Sequence, residues 1–354
     1  MRPPHPAALH LSWLPSSQAA LALAALALAA PAAPATAVPL HRLVGATVIT
    51  ALAEPPGSAF LERVRNGDVG GVILVGRWSS TTQMAAVSRT LQAAACADGS
   101  PLLLAVDQEG GPMRRMPWAA PSESARSLGG TGASHVESEA RATAAALRRA
   151  GIGVDFAPVA DTRLSPGNFL GSRVFSDDSG VVGRDASAFV SGLQSGGVAA
   201  TAKHFPGLGA ARENTDDHAV TVQLVRLQPF RDAIAAGVQL VMMSNASYPH
   251  LDQSGRPAVF SRTIVTTLLR GALGFNGVVV TDALDAPTPN ATPHAPARAI
   301  GAGVDVLLYT SGSAATRGYE GLLADATRSA ALRAQIGTAV ERIHALKAWL
   351  GLTC

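Results

Sequence analysis

A lysine and a histidine, Lys203 and His204, end an apolar run near the middle of the chain, and a Gly/Pro turn follows them. Two further apolar runs end in carboxylates, at Asp107 and at Asp282. Burying a cation and an imidazole at the end of a strand costs several kcal/mol unless partners or a ligand are present. A carboxylate near a cation can bind a polar substrate or act as a nucleophile, and an imidazole transfers protons near neutral pH. These strand ends are therefore predicted to form a site.

The elements that would position these side chains are eight short apolar runs separated by helix-like stretches. Apolar residues are consecutive within each run, which is typical of parallel strands buried on both faces. Eight alternations of strand and helix within about 250 residues or more predict a (β/α)8 TIM barrel, an α/β fold in a single domain. A doubly wound sheet fits less well, because no G-x-G-x-x-G turn follows the first run. The runs span residues 44–50, 70–76, 102–106, 152–159, 198–203, 238–244, 277–281 and 304–309.

Helices are predicted between these runs at residues 82–95, 134–150 and 261–273, the last with Ser261 as its N-cap. A final helical stretch at 324–350 would close the barrel. In such barrels the site lies at the C-terminal ends of the strands and draws residues from several of them.

The predicted strand ends carry more polar residues than packing requires. For Asp161 and Asn245, capping of a helix or turn is an equally good interpretation, whereas a functional role is favoured for the others. The residues are Asp107, Asp161, Lys203, His204, Asn245 and Asp282.

Composition fits a globular protein with a large core. Of 354 residues, 47% are hydrophobic and 15% charged, and 28 basic against 25 acidic residues give a formal net charge of +3. No basic run or basic-aromatic stripe is present, so nucleic-acid binding is not predicted. No cofactor motif is found, and Asp216-Asp217-His218 with His204 lacks the helical i, i+4 spacing of a zinc site. Neither a cofactor nor a metal is predicted.

The first 37 residues have the features of a cleaved signal peptide. Arg2 precedes an Ala/Leu-rich stretch at 19–30, and Ala35-Thr36-Ala37 supplies a small-x-small cleavage pattern. The mature domain would span 38–354 and be secreted or held in the cell envelope. A membrane anchor is the alternative, but no basic stop-transfer cluster follows, and the absence of a cysteine at the cleavage site argues against a lipoprotein.

The chain contains two cysteines, Cys96 and Cys354, far apart in sequence. In an exported chain an even number favours a disulfide, which would tie the C-terminus to the body. Two free thiols are the alternative.

Five segments, in this order, resemble glycoside hydrolase family 3, and within it the single-domain bacterial β-N-acetylhexosaminidases. The resemblance covers nearly all of the predicted mature chain, and it implies the same barrel fold. The matching segments are VDQEGG at 106–111 with Arg115 downstream, DFAPVAD at 155–161, GSRVF at 171–175, KHFPGxG at 203–209 and GVVVTDAL at 277–284.

The resemblance implies a retaining exo-glycosidase that acts on β-linked N-acetylglucosamine, in cell-wall glycan turnover, with a carbohydrate as its partner. Asp282 would be the nucleophile and form a covalent glycosyl-enzyme. His218, on a mobile loop at 208–218, would be the acid/base, paired with Asp216 in an Asp-x-His pattern. A monomer is expected. The residues implied to hold the sugar hydroxyls are Asp107, Arg115, Arg173, Lys203 and His204.

Some positions depart from the family's pattern, mostly around the expected sugar pocket. Leu208 stands where a histidine is usual, and about two extra residues separate Gly209 from Asp216. In addition, Pro112 stands where an arginine is usual, Asn245 where a histidine is usual and Ala286 where a methionine is usual.

These departures leave other functions open. The sugar could be β-glucose or β-xylose, or the barrel could bind glycan without cleaving it. His218 could be a solvated loop histidine. From the residues alone, Lys203 could also be a Schiff-base lysine of an aldolase.

Overall fold

The computed structural model describes residues 38–76, 78–97 and 99–354. The predicted signal peptide, residues 1–37, lies outside the described residues. Within the described ranges, none of the helices is long and apolar enough to span a bilayer.

Eight parallel strands form the barrel that the sequence predicts: β1 (Val48–Leu52), β2 (Gly71–Leu74), β3 (Leu103–Val106), β6 (Val154–Asp155), β7 (Ala199–Phe205), β8 (Leu240–Met243), β9 (Val278–Thr281) and β10 (Leu307–Tyr309). Their order around the sheet is β10-β1-β2-β3-β6-β7-β8-β9. A parallel bridge between Val280 and Val306 joins the two ends of this sheet and completes the ring. A small antiparallel hairpin, β4 (Gln108–Gly110) and β5 (Met113–Arg114), follows β3 directly.

Helices surround the strands, and several begin at a side chain that accepts a backbone N–H. Ser80 caps α3 in this way through the N–H of Gln83, and Asp178 caps α6 through that of Val181. The helices are α1 (Leu40–Ala46), α2 (Ser58–Arg65), α3 (Thr81–Cys96), α4 (Ala125–Leu128), α5 (Ala133–Arg149), α6 (Ser179–Ser195), α7 (Gln228–Ala235), α8 (Pro287–Asn290), α9 (Ala295–Ala302), α10 (Gly312–Arg328) and α11 (Ala330–Trp349), with 3₁₀ turns at Gly171–Arg173 and Ala258–Phe260 and a π-helix at Thr263–Ala272.

The core has two layers, because alternate residues of each strand face the barrel interior or the helices. Ile49, Leu103 and Val278 are in the interior layer, and Ile343 and Leu346 of α11 pack against that layer. Helix α11 therefore covers the N-terminal end of the barrel, as expected for the last helical stretch. The C-terminal ends of the strands are left for a site.

A disulfide joins Cys96, the last residue of α3, to Cys354. Their Cα atoms are 5.2 Å apart, within the range that a disulfide requires. The pairing that the sequence favoured is confirmed.

Some predicted element boundaries were wrong. The run at 44–50 is not one strand, because α1 continues to Ala46 and β1 starts at Val48. The stretch at 324–350 is two helices, separated at Ser329, whose hydroxyl accepts the N–H of Leu332 and so starts α11. The capping role predicted for Ser261 is confirmed, because its hydroxyl accepts the N–H of Ile264 at the start of the helical segment that contains the π-helix.

Candidate active site

A cavity of about 150 Å³ lies at the C-terminal ends of the barrel strands. Its walls come from β2, β5, β7, β8 and β10 and from the loops that follow β2, β3, β6, β7, β9 and β10, as expected for this fold. His218 is not among the lining residues and is exposed to solvent. The cavity brings together seven of the predicted site residues: Asp107, Arg115, Arg173, Lys203, His204, Asp216 and Asp282.

Lys203 is at the centre of a buried ion-pair cluster beneath the cavity. Its Nζ lies 2.8 Å from Oδ1 of Asp107 and 2.7 Å from Oε1 of Glu109. Glu109 also accepts two hydrogen bonds from Arg173, from Nε and Nη2, both at 2.8 Å. This bidentate pairing holds the guanidinium in one plane and orientation.

The charges in this cluster favour the ionised forms of Glu109 and Lys203. Burial alone would raise the pKa of Glu109, but the charges of Lys203 and Arg173 lower it to about 2. Burial disfavours the charged form of Lys203, yet the carboxylates of Asp107 and Glu109 raise the pKa of its ammonium. A lysine held protonated is a poor nucleophile, which disfavours a Schiff-base role for Lys203.

His204 is oriented by Asp161. From the sequence, capping of a helix or turn and a functional role were equally good interpretations of this aspartate. Oδ2 of Asp161 lies 2.8 Å from Nδ1 of His204 and accepts the backbone N–H of the same residue at 3.0 Å. Oδ1 of Asp161 accepts the backbone N–H of Leu208. Because a carboxylate accepts at Nδ1, that nitrogen carries a proton and Nε2 is left for a ligand. Asp161 thus positions both the imidazole and the start of the next loop.

Asp282 follows the last residue of β9 and is held by backbone hydrogen bonds on both sides. Its N–H donates to the carbonyl of Met243 at 3.0 Å, and its Oδ1 accepts the N–H of Ala283 at 2.9 Å. Asn245 donates to the carbonyl of Ala283 at 2.8 Å and so supports the same turn. Asn245 does not line the cavity, so its contribution is to hold the backbone next to Asp282.

The loop after β7 is anchored at its start. Tyr248 donates to the carbonyl of Gly207 at 3.1 Å, and Leu208 is completely buried. A Cβ at Gly209 would lie 1.6 Å from the carbonyl oxygen of Thr162, so this close approach requires glycine. The mobility predicted for 208–218 remains a prediction.

Farther along this loop, a turn at 214–218 brings Asp216 to the cavity. The carbonyl of Asn214 accepts the N–H groups of Asp217 at 3.1 Å and of His218 at 3.0 Å. The Asn214 amide donates to Oδ2 of Asp216 at 3.3 Å, and its Oδ1 accepts the Asp216 N–H at 3.2 Å. Desolvation at the cavity wall, followed by the negative charge of Asp282, raises the pKa of Asp216 to about 6.

Three residues of the site were not predicted from the sequence. Glu109 pairs with two cations of the site, and Asn214 and Phe169 line the cavity. Glu109 lies within the recognised VDQEGG segment, so its position was a usable signal. Asn214 and Phe169 lie outside the matching segments, and their inward positions depend on loop conformation.

Relatives of known sequence include glycosyl hydrolases. The chain is 37% identical over 284 residues to an uncharacterized secreted glycosyl hydrolase from Arthroderma benhamiae, which covers 75% of this chain and 79% of that protein. It is 39% identical over 233 residues to a beta-hexosaminidase from Xylella fastidiosa, covering 60% of this chain and 67% of the relative.

Solved structures share the fold over most of the chain. A β-N-acetylhexosaminidase from Beutenbergia cavernae has a TM-score of 0.82 at 33% identity, covering 88% of this chain and 99% of that one. A glycoside hydrolase family 3 β-N-acetylglucosaminidase from Paenibacillus has a TM-score of 0.84 at 32% identity. The second alignment covers 89% of this chain but 63% of that longer protein.

The sequence profile of the glycosyl hydrolase family 3 N-terminal domain matches residues 49–346. This span includes every residue that lines the cavity. It also includes all eight barrel strands, except for the first residue of β1. The chain therefore belongs to glycosyl hydrolase family 3.

Proposed function

We propose that this glycosidase is a retaining exo-β-N-acetylhexosaminidase that removes β-linked N-acetylglucosamine through a covalent intermediate on Asp282. The observation that carries the proposal is the cavity itself, in which Asp282 faces the charged cluster of Asp107, Arg173 and Lys203. The names of the Xylella, Beutenbergia and Paenibacillus relatives support the choice of sugar.

The charged groups suit recognition of sugar hydroxyls. Asp107 can accept a hydrogen bond, Lys203 can donate, and His204 presents Nε2. Arg115 lines the cavity, and its buried Nε has no hydrogen-bond partner within the described ranges, so a substrate oxygen could satisfy it. The volume of about 150 Å³ is well below the range of about 300–1,000 Å³ for drug-sized ligands. Such a cavity suits one terminal sugar ring.

In the first chemical step, a carboxylate oxygen of Asp282 would attack the anomeric carbon while the glycosidic bond breaks. Water would then release the sugar and regenerate the carboxylate. The hydrogen bond from Ala283 N–H to Oδ1 of Asp282 fixes the carboxylate plane for this attack. A proton donor must assist the leaving oxygen, and the sequence pattern assigns this role to His218 with Asp216.

We also propose that residues 1–37 are a signal peptide and that 38–354 act as a monomer outside the cytoplasm, in cell-wall glycan turnover. The Cys96–Cys354 disulfide supports export, because disulfides persist in oxidising compartments. The relative from Arthroderma benhamiae is described as secreted, which supports the same location.

A β-glucosidase or β-xylosidase of the same family is the second candidate. It is favoured by Leu208, which lines the cavity where a histidine is usual in the β-N-acetylhexosaminidases that this chain resembles. A buried apolar side chain at this position would shape the wall without offering the sugar a hydrogen bond.

The deciding experiment compares hydrolysis of 4-nitrophenyl N-acetyl-β-glucosaminide, β-glucoside and β-xyloside by residues 38–354. We expect the highest kcat/KM on the first. A preference for the glucoside or xyloside would assign the second candidate, and no turnover of any of the three would favour a glycan-binding barrel.

The role of Asp282 is tested with a 2-deoxy-2-fluoro glycoside, which should label this residue. Asp282→Asn should lower kcat by about 10³-fold or more, because the nucleophile is lost. Its amide oxygen can still accept from Ala283, so urea unfolding should change little. Turnover above a few per cent of wild type would contradict the assignment.

A further inference from the structure

We propose that Asp216 is itself the proton donor and acceptor of the reaction, in place of His218. The inference rests on the proposed retaining mechanism and assigns its second catalytic group. The positions of the two residues carry it, since both are exposed to solvent but Asp216 lines the cavity with Asp282 whereas His218 does not.

The turn at 214–218 fixes this difference. Its two backbone hydrogen bonds to the Asn214 carbonyl close the turn, and buried Thr215 anchors it to the body of the protein. Successive side chains of so tight a turn point in different directions, and Asn214 binds the carboxylate of Asp216 through its amide. The described residues include no hydrogen-bond or ion-pair partner that would draw the His218 ring toward the cavity.

The other carboxylates of the site are poorly suited to carry a proton. Asp107 is already engaged in an ion pair, since its Oδ1 lies 2.8 Å from Nζ of Lys203. Glu109 is shared between Lys203 and Arg173, which lower its pKa to about 2. Asp216 has no such cation within salt-bridge distance among the described residues, and its pKa is raised to about 6. A carboxyl that is partly protonated near neutral pH can act as a general acid.

His204 supplies the imidazole of the cavity wall. Asp161 and the strand end hold its ring beside Lys203, among the groups suited to sugar hydroxyls. Asp216 belongs to the loop after β7 and is exposed to solvent where it lines the cavity, so it lies on a side from which a leaving group could exit. The geometry therefore favours Asp216 for contact with the glycosidic oxygen.

The interaction between the two carboxylates also explains how one residue could serve both steps. In the first step, the proton of Asp216 passes to the glycosidic oxygen, which takes the electron pair of the breaking C1–O bond, while Asp282 forms its own bond to C1. Esterification removes the negative charge of Asp282, which is one cause of the raised pKa of Asp216. The pKa of Asp216 then falls, and its carboxylate can accept a proton from water. The water oxygen attacks C1, and the electron pair of the ester bond returns to Asp282.

The test compares Asp216→Asn with wild type on two glycosides of whichever sugar wild type hydrolyses. One has 4-nitrophenol as its leaving group, which needs little protonation, and the other is the disaccharide, which needs a proton donor. We expect Asp216→Asn to lower kcat/KM on the disaccharide by about 10²–10⁴-fold, and much less on the aryl glycoside. Azide should restore turnover of the aryl glycoside and give a β-glycosyl azide, because a small anion needs no general base. A merely structural role for Asp216 would produce no azide product.

Asp217→Asn is the matched control, because it makes the same change at the neighbouring exposed position and should remain within about twofold of wild type. On the disaccharide, wild-type kcat/KM should fall as the pH rises above about 6, where Asp216 loses its proton. Asp216→Asn should lack this limb of the profile.

The inference is overturned if the leaving-group dependence and azide rescue occur in His218→Ala or a His204 variant and not in Asp216→Asn. In that case, labelling of Asp282 in the wild type would leave the proposed function intact. A wild type that hydrolyses no glycoside and takes no label at Asp282 would overturn both.

Discussion

The carboxylate of Glu109 balances two cations beneath the cavity. It forms ion pairs with Lys203 and Arg173 while almost completely buried, so its charge stabilises both cations and is stabilised by them. Removing one member of a buried cluster is costly because the remaining charges cannot be solvated. The site and the stability of this end of the barrel are thus coupled through one residue.

Glu109→Gln should therefore destabilise the protein by about 3–5 kcal/mol, measured by urea unfolding. Glu137→Gln is the control, because Glu137 pairs with Arg141 on the exposed face of α5 and should change stability by less than about 0.5 kcal/mol. Equal effects of the two substitutions would show that the buried cluster contributes little.

Asp155 provides a second link between charge and stability. It is fully buried at the end of β6, where burial raises its pKa to about 8 despite a hydrogen bond from the Gln108 N–H. An unfolded aspartate has a pKa of about 3.9, so the native state holds a proton that the unfolded chain has lost between about pH 4 and pH 8. The contribution of Asp155 to stability is therefore greatest below about pH 4 and falls as the pH rises toward 8.

Asp155→Asn should remove this dependence, because the amide keeps the hydrogen bond to Gln108 and cannot ionise. We expect the free energy of unfolding of the variant, relative to wild type, to increase between pH 5 and pH 8 by on the order of 1 kcal/mol per pH unit. Urea unfolding at both pH values measures the difference. If the difference in free energy of unfolding between the variant and wild type does not change with pH, Asp155 is not protonated in the native state.

At the scale of elements, α10 packs against the end of β10 through a glycine. A Cβ on Gly318 would lie 2.0 Å from the hydroxyl oxygen of Tyr309, which is buried and lacks a hydrogen-bond partner in the described ranges. Tyr309 precedes Thr310, which lines the cavity. The close contact between helix and strand therefore helps to set the cavity wall.

Two alanine substitutions in α10 separate this contact from helix propensity. Gly318→Ala should destabilise the protein by about 1–3 kcal/mol, because Tyr309 must move in a packed environment. At Gly321, one turn farther on, a Cβ would meet no atom within 4 Å, so Gly321→Ala should stabilise by about 0.5–1 kcal/mol. Thermal or urea unfolding of both variants tests the prediction, and two changes of the same sign would refute it.

The strands could be predicted because parallel barrel strands are buried on both faces and appear as unbroken apolar runs. The same property misleads at Val44, which is just as apolar but packs against the core from a helix. The break at Ser329 was missed because helix-forming residues lie on both sides of it.

Site residues at strand ends, such as Lys203 and Asp282, were predictable because the barrel register determines where a strand end lies. The arrangement of Asp216 and His218 was not, since it depends on a turn closed by Asn214. Glu109 was missed although it lies in the recognised VDQEGG segment, because the segment alone does not show which of its two acidic residues is buried between the cations.

At the scale of the whole molecule, the disulfide joins points that are 258 residues apart. In the chain-entropy description, a link across so long a segment restricts the unfolded chain strongly. It lies at the N-terminal end of the barrel, where α11 covers the interior, and so is remote from the cavity.

Replacing both Cys96 and Cys354 with serine should lower the free energy of unfolding by about 2–5 kcal/mol. Because the cavity is at the other end of the barrel, kcat/KM of the folded variant should remain close to that of wild type. Urea unfolding and aryl-glycoside hydrolysis measure the two effects. Unchanged stability would show that packing of α11 alone holds this end.

The bridge between Val280 and Val306 has a consequence for behaviour at high concentration. It gives each of the eight described barrel strands a neighbour on both sides. An unpaired strand would offer free N–H and C=O groups to another molecule and could template intermolecular sheet growth. In this barrel, such growth first requires the ring to open, so fibril-like association should be governed by the rate of unfolding and not by encounters between native molecules.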